Sequence, residues 1–155
     1  MKILLVVDGS SYSNLSIQMI KALRLPPGNE ITLLTVVPEP NFLGSITLDA
    51  IIGSSKARAK ANDEQQEKAL ELLGSTSQAL SKSKMKIDTM VRWGNPTEEI
   101  VSVAEQEKAS LIIMGAKGLT DPANFRLGSV ALKVAKYANS NVLLVRKKTA
   151  SLAEE

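Results

Sequence analysis

Gly115, Gly118, Gly128 and Ser129 are the residues whose types and spacing could do chemistry. The segment Gly115-Ala116-Lys117-Gly118 follows the apolar run Leu111-Ile112-Ile113-Met114, and Gly128-Ser129 comes after nine intervening residues. A buried strand that breaks into a glycine-punctuated loop and re-enters a helix brings backbone N–H groups together where a phosphate can sit. Glycine permits positive φ and lets a ligand come close to the main chain. The helix opening at Gly128 turns its positive dipole end toward an anion, and the Ser129 hydroxyl can donate as well. A single glycine would read as a turn or cap residue, but this spacing between a strand and a helix favours phosphate.

Asp8 closes another apolar run, Ile3 to Val7, and is followed by Gly9-Ser10-Ser11. A carboxylate there can accept hydrogen bonds from ribose hydroxyls or an adenine amino group. It can equally cap the next helix, as can Ser10, and spacing leaves the two readings even. Lys117 and Arg126 lie within the glycine loop and could neutralise phosphate charge; each alone reads as a solvated loop cation. Thr120 and Asp121 read as the turn before Pro122.

The chain contains no histidine and no cysteine. The commonest general base and zinc ligand are therefore missing, along with disulfides, thiolate metal sites and cysteine nucleophiles. Chemistry would fall to carboxylates, lysines, hydroxyls, backbone donors or a bound cation. The Asp8 to Asn14 turn lacks Gly-x-Gly-x-x-Gly, and no Gly-x-x-x-x-Gly-Lys-Ser/Thr occurs, which excludes a P-loop. A receiver domain would want an acidic pair after strand one and a phosphoacceptor Asp after strand three, where Trp93-Gly94 stands.

The elements that must position these residues follow from hydrophobic pattern. Ile3–Val7 reads as a strand buried on both faces, then a helix with Leu15, Met19, Ile20 and Leu23 on one side, stopped by Leu25-Pro26-Pro27-Gly28. Glu30–Val37 is a second strand. Residues 38 to about 55 form a long connection with a helical turn at Thr47 to Ile52. Lys56 to about Leu80 reads as a long polar helix. Met85, Ile87, Thr89, Val91 and Trp93 alternate with polar residues as a half-exposed strand near a sheet edge. Asn95 and Pro96 start a helix with Ile100, Val103 and Ala104 buried. Leu111–Met114 is the fourth strand. Gly128 opens a helix with Leu132, Ala135 and Val134 inward, and Asn141–Val145 is a fifth strand. The alternation implies an α/β fold, a parallel sheet with helices on both faces, whose ligands bind beyond the strands' carboxyl ends.

With 155 residues, the chain is expected to form one domain over residues 1–148, with a charged tail at 149–155. Its first apolar run ends at Asp8 and reads as a core strand rather than a signal, and no stretch reaches membrane-spanning length. A soluble, cytoplasmic protein is expected. The net charge is +3, with dispersed basic residues and only 3% aromatics; solvated helix faces account for them better than a nucleic-acid surface.

The spacing Gly115-x2-Gly118-x9-Gly128-Ser129 resembles the signature of the universal stress protein family, in its ATP-binding class. Val7-Asp8-Gly9-Ser10, Leu33 to Val37, Gly94-Asn95-Pro96 and the last two strands extend the resemblance over nearly the whole chain. The resemblance implies an open, Rossmann-like five-stranded parallel sheet of order 3-2-1-4-5. It implies ATP, or ADP or AMP, with Mg²⁺ or Mn²⁺. It places Val7 and Asp8 at the adenosine portion, the Val36 backbone at the adenine edge, and Met114, Gly115 and Gly118 along ribose and phosphates. Gly128, Ser129 and Val130 hold the phosphates, with Arg126 and Lys117 neutralising charge. It also implies a homodimer through Asn141–Val145. Many members carry His where Thr35 stands and Asp where Ser110 stands. The implied function is a nucleotide-dependent stress-response or signalling module without fast chemistry; the alternative is a slow metal-dependent ATPase or phosphotransferase.

Overall fold

The computed structural model describes residues 1–39, 55–119 and 127–147. The expected helical turn at Thr47 to Ile52, the loop residues Thr120, Asp121 and Arg126, and the charged tail at 149–155 lie outside the described residues.

Two continuous apolar runs form the middle of the sheet. Lys2–Val6 (β1) and Glu30–Val37 (β2) pair in parallel, Leu4 opposite Thr32 and Val6 opposite Leu34. Lys86–Trp93 (β3) lies outside β2, while Leu111–Gly115 (β4) and Asn141–Val145 (β5) continue on the other side of β1. The order is β3-β2-β1-β4-β5, parallel throughout, as the resemblance implies. Strand alternation then sorts the core into two layers. Ile3, Leu5, Ile31, Leu33 and Ile113 face Ser11–Leu23 (α1) and Ser55–Leu80 (α2). Leu4, Leu34, Ile112 and Met114 face Pro96–Gln106 (α3) and Ser129–Tyr137 (α4).

Two helix faces differ from the pattern expected of large apolar residues. In α1 Ile20 is buried and Leu15 and Met19 pack half-buried against the core as expected, but Ser13 and Ser16 are fully buried too and Leu23 is 43% exposed. Small side chains let α1 sit close to the sheet, and Ser16 satisfies its hydroxyl by donating to the Tyr12 carbonyl at 3.1 Å. In α4, Ala131 and Val134 face inward, whereas Leu132 is 56% exposed and Ala135 is also exposed. A helix this short buries only a narrow stripe, and the small Ala131 lets its first turn approach the sheet.

The two edges differ in chemistry. Edge strand β3 presents Lys86 and Asp88, paired at 3.1 Å, and the Asp88 carboxylate holds the Lys86 ammonium above its ordinary pKa. Charges of this kind discourage pairing with another strand. Edge strand β5 instead presents half-buried Val142, Leu143 and Leu144.

The chain winds outward from β1 to β3, then crosses back to β4 and β5. The switch point lies between β1 and β4, and a crevice is expected beyond their carboxyl ends.

Candidate functional site

β1 ends by tying down Val7. Its N–H donates to the Leu34 carbonyl at 2.9 Å, and its carbonyl accepts from the Thr35 hydroxyl at 3.0 Å. Gly9, at φ +79°, then turns the chain into α1. A closed ring of hydrogen bonds fixes this turn. The Asp8 N–H donates to Ser13 Oγ at 3.2 Å, the Ser13 N–H to Ser10 Oγ at 3.0 Å, and the Ser10 N–H to Asp8 Oδ1 at 2.9 Å. The even choice between Asp8 and Ser10 as cap is thereby decided: Ser10 caps α1, and Asp8 holds Ser10. The second Asp8 oxygen accepts no hydrogen bond among the described residues.

β2 runs past the end of β1. Leu34 turns its carbonyl toward β1, and Val37 turns its carbonyl toward β3, where it accepts from the Gly94 N–H at 3.0 Å. Backbone groups alternate sides along a strand. Val36 therefore directs its N–H and carbonyl toward the β1 side, beyond the last residue with which β1 pairs. One donor and one acceptor stand side by side there.

Beyond β4, the Ala116 N–H donates to the Val145 carbonyl at 2.9 Å, and the Gly128 N–H donates to the Ala116 carbonyl at 2.7 Å. Two bonds through one buried alanine close the base of the loop. Gly128, the N-cap of α4, has an ordinary φ of −74°. The Leu132 N–H makes the first intrahelical bond, to the Gly128 carbonyl at 3.0 Å. The Val130 and Ala131 amides precede it, without intrahelical acceptors. No acidic residue offsets the dipole in this first turn.

These pieces enclose a cleft of about 270 Å³, at the small end of ordinary ligand sites. Val7, Asp8, Val36, Met114, Gly115, Gly118, Ser129 and Val130 all line it. Gly128 lies outside the lining with its N–H committed to Ala116, so any anion at this helix start meets the following amides. Arg126 lies outside the described residues. Gly115 is required by packing as well: an added Cβ would lie 2.7 Å from Tyr12 Cβ and 3.0 Å from the Tyr12 carbonyl carbon.

Sequence reasoning missed part of the wall. Pro38, Pro96 and Ile100 line the cleft with Val36 and Met114 and give it an apolar side. Pro96 read only as a helix start and Ile100 only as core. The signal was topological, since the turn from β3 to α3 also lies at the strands' carboxyl ends. Lys117 brings a cation, and Asp8 is the carboxylate of the lining. Among the described residues, no group of three or more Asp, Glu, His or Cys side chains could hold a metal ion.

A family model described as the universal stress protein family matches residues 1–146. The chain is 30% identical over 155 residues to universal stress protein MJ0577 of Methanocaldococcus jannaschii, covering 95% of each. The solved structure of MJ0577 superposes with a TM-score of 0.81 at 29% identity, covering 96% of this chain and 97% of that one. The same fold recurs in a universal stress protein from Archaeoglobus fulgidus solved in complex with dAMP, with a TM-score of 0.64, 22% identity and coverage of 94% and 98%. It also recurs in a family member from Arabidopsis thaliana with AMP bound, with a TM-score of 0.69, 13% identity and coverage of 100% and 97%.

Proposed function

Because the chain belongs to the universal stress protein family, we infer that it binds an adenine nucleotide in the cleft at the β1/β4 switch point and acts as a nucleotide-dependent stress-response or signalling module. The observation that carries this reading is the pairing of two features in one cleft. An apolar slot ends at the outward-facing N–H and carbonyl of Val36, and the first turn of α4, which opens at Gly128 with no capping side chain there, stands across it. Adenine offers a ring-nitrogen acceptor beside an exocyclic amino donor, which complements Val36. The slot of Pro38, Pro96, Ile100 and Met114 suits the faces of the base. Ribose hydroxyls can donate to the second Asp8 oxygen. Phosphate oxygens can accept from the Val130 and Ala131 amides and the Ser129 hydroxyl, favoured by the helix dipole. The nucleotides held by the dAMP and AMP complexes support the same ligand class.

ATP with Mg²⁺ or Mn²⁺ is the ligand we assign. Asp8 as the carboxylate of the lining fits a cation carried mainly by phosphate oxygens and water, the usual manner of Mg²⁺ with nucleotides. The cation would supply charge neutralisation, while the protein orients base and sugar. A second copy pairing through β5 would make the homodimer, since β5 offers an apolar edge where β3 offers charge.

The test is the nucleotide content of freshly purified protein, released by denaturation and separated by chromatography. A near-stoichiometric adenine nucleotide is expected. Protein that emerges empty and shows no heat with ATP and Mg²⁺ would overturn the reading. The rival reading, slow hydrolysis, is favoured by the open Asp8 oxygen at the cleft, through which a metal-bound water could be activated. Turnover lost in Asp8→Ala while nucleotide stays bound would support it; turnover absent from the wild type would sink it.

A further inference from the structure

A second hollow, of about 400 Å³, adjoins the nucleotide cleft. Lys117, Gly118 and Leu119 form a wall of both. Its remaining lining comes from the start of α1, at Ser10 to Tyr12, and from Lys147 just beyond β5. The two compartments differ in chemistry. The first is lined mainly by apolar side chains and contains Asp8. Among the described residues, the second holds two lysines and two serines and no carboxylate. Lys147 Nζ lies 5.2 Å from the centroid of the Tyr12 ring, which steadies the ammonium over the aromatic face at the rim. The start of α1 at Tyr12 packs closely against Gly115, which places the Tyr12 ring and Lys147 near the end of β4.

We propose that this second hollow receives the outer phosphates of the bound nucleotide, and that Lys147 sets a preference for a nucleoside triphosphate over a monophosphate. The inference rests on the nucleotide reading above and deepens it. A nucleoside seated against Val36 and Asp8 places its first phosphate at the α4 turn. The cleft is only about 270 Å³, and its wall at Gly118, which carries no side chain, is where the basic compartment begins, so in this proposal the further phosphates extend past it. Each added phosphate brings negative charge, and Lys147 offers a charge-assisted donor that a monophosphate does not reach.

The experiment measures ATP and AMP binding by calorimetry to the whole chain and to Lys147→Ala and Lys147→Arg. Lys147 is exposed, so neither change disturbs the core. Lys147→Ala is expected to weaken ATP about tenfold, leave AMP within about twofold, and flatten the salt dependence of ATP binding. Lys147→Arg is expected to restore most of the ATP affinity. Equal weakening of both nucleotides, or no change in either, overturns the proposal. So does a wild type that binds AMP as tightly as ATP, which leaves the nucleotide reading standing. A wild type that binds neither overturns both.

Discussion

At the end of β1 a serine side chain caps the helix that follows, whereas at the end of β4 the next helix starts at Gly128, which brings no side chain to cap it. The Asp8–Ser10–Ser13 ring closes three hydrogen bonds inside a few residues and leaves one carboxylate oxygen open. The β4 turn uses two bonds through Ala116 to fix the base of its loop, and the α4 start has no side-chain cap. Glycine at the N-cap costs only about a few tenths of a kcal/mol relative to a capping side chain. Here it leaves amides available to a ligand. One turn is built as a support, and the other is the receptor in the proposed reading.

The largest effect expected from breaking this contrast lies in the glycines. Gly9 is glycine for its conformation: φ is +79°, and an added Cβ would lie no closer than 3.8 Å to Leu72 Cδ2. Gly115 is glycine for space, against the backbone of Tyr12. Gly115→Val should destabilise the fold by roughly 3 kcal/mol through overpacking, and Gly9→Ala by roughly 1 kcal/mol through strain alone. Urea unfolding of the two variants measures the difference. Equal losses would show that α1 yields at Tyr12 and that Gly115 is not a packing constraint.

Ser129→Asp should separate receptor from support. A carboxylate in the first turn of α4 opposes bound phosphate, and ATP affinity should fall about a hundredfold. The same charge suits the helix dipole, so stability should hold or rise by up to about 0.5 kcal/mol. Calorimetry with ATP and thermal unfolding of the apo protein supply the two readouts. Unchanged affinity would remove the α4 start from the site.

This separation also explains what was legible in the sequence. The five strands are legible in apolar or alternating runs bounded by turn residues, because burial leaves a pattern along each strand, while their 3-2-1-4-5 order came from the family resemblance. The glycine spacing pointed to the turn that lines the cleft, and at Gly115 close backbone packing against Tyr12 does restrict residue type. Side-chain facing was legible at Leu15, Met19 and Ile20 of α1 and at Val134 of α4, which pack into the core, but not at Leu23, Leu132 and Ala135, which are exposed. Ser13, Ser16 and Ala131 are buried because helices approach closely there, and a small residue carries no hydrophobic signal. Nor was the commitment of the Gly128 N–H to Ala116, since a backbone bond leaves no trace in residue identity. Pro96 and Ile100 carried strong local readings, cap and core, which hid their place in the cleft wall.

The smallest expected effects test the support turn. Ser10→Ala removes the cap and should cost about 1 kcal/mol of stability, with nucleotide affinity changed only a few-fold, because Asp8, Val36, Ser129 and both lysines remain and the Ser10 hydroxyl is already engaged by the Ser13 N–H. Asp8→Asn should do the reverse. The amide oxygen can still accept from the Ser10 N–H, so the ring survives and stability should shift by no more than about 0.5 kcal/mol. The second carboxylate oxygen becomes an NH₂ group, which cannot accept from a ribose hydroxyl, and affinity should fall about tenfold. Parallel unfolding and calorimetry on the pair decide the matter. If Asp8→Asn lost stability and kept affinity, Asp8 would belong wholly to the support, and the adenosine contact would have to come from Val36 and the apolar slot alone.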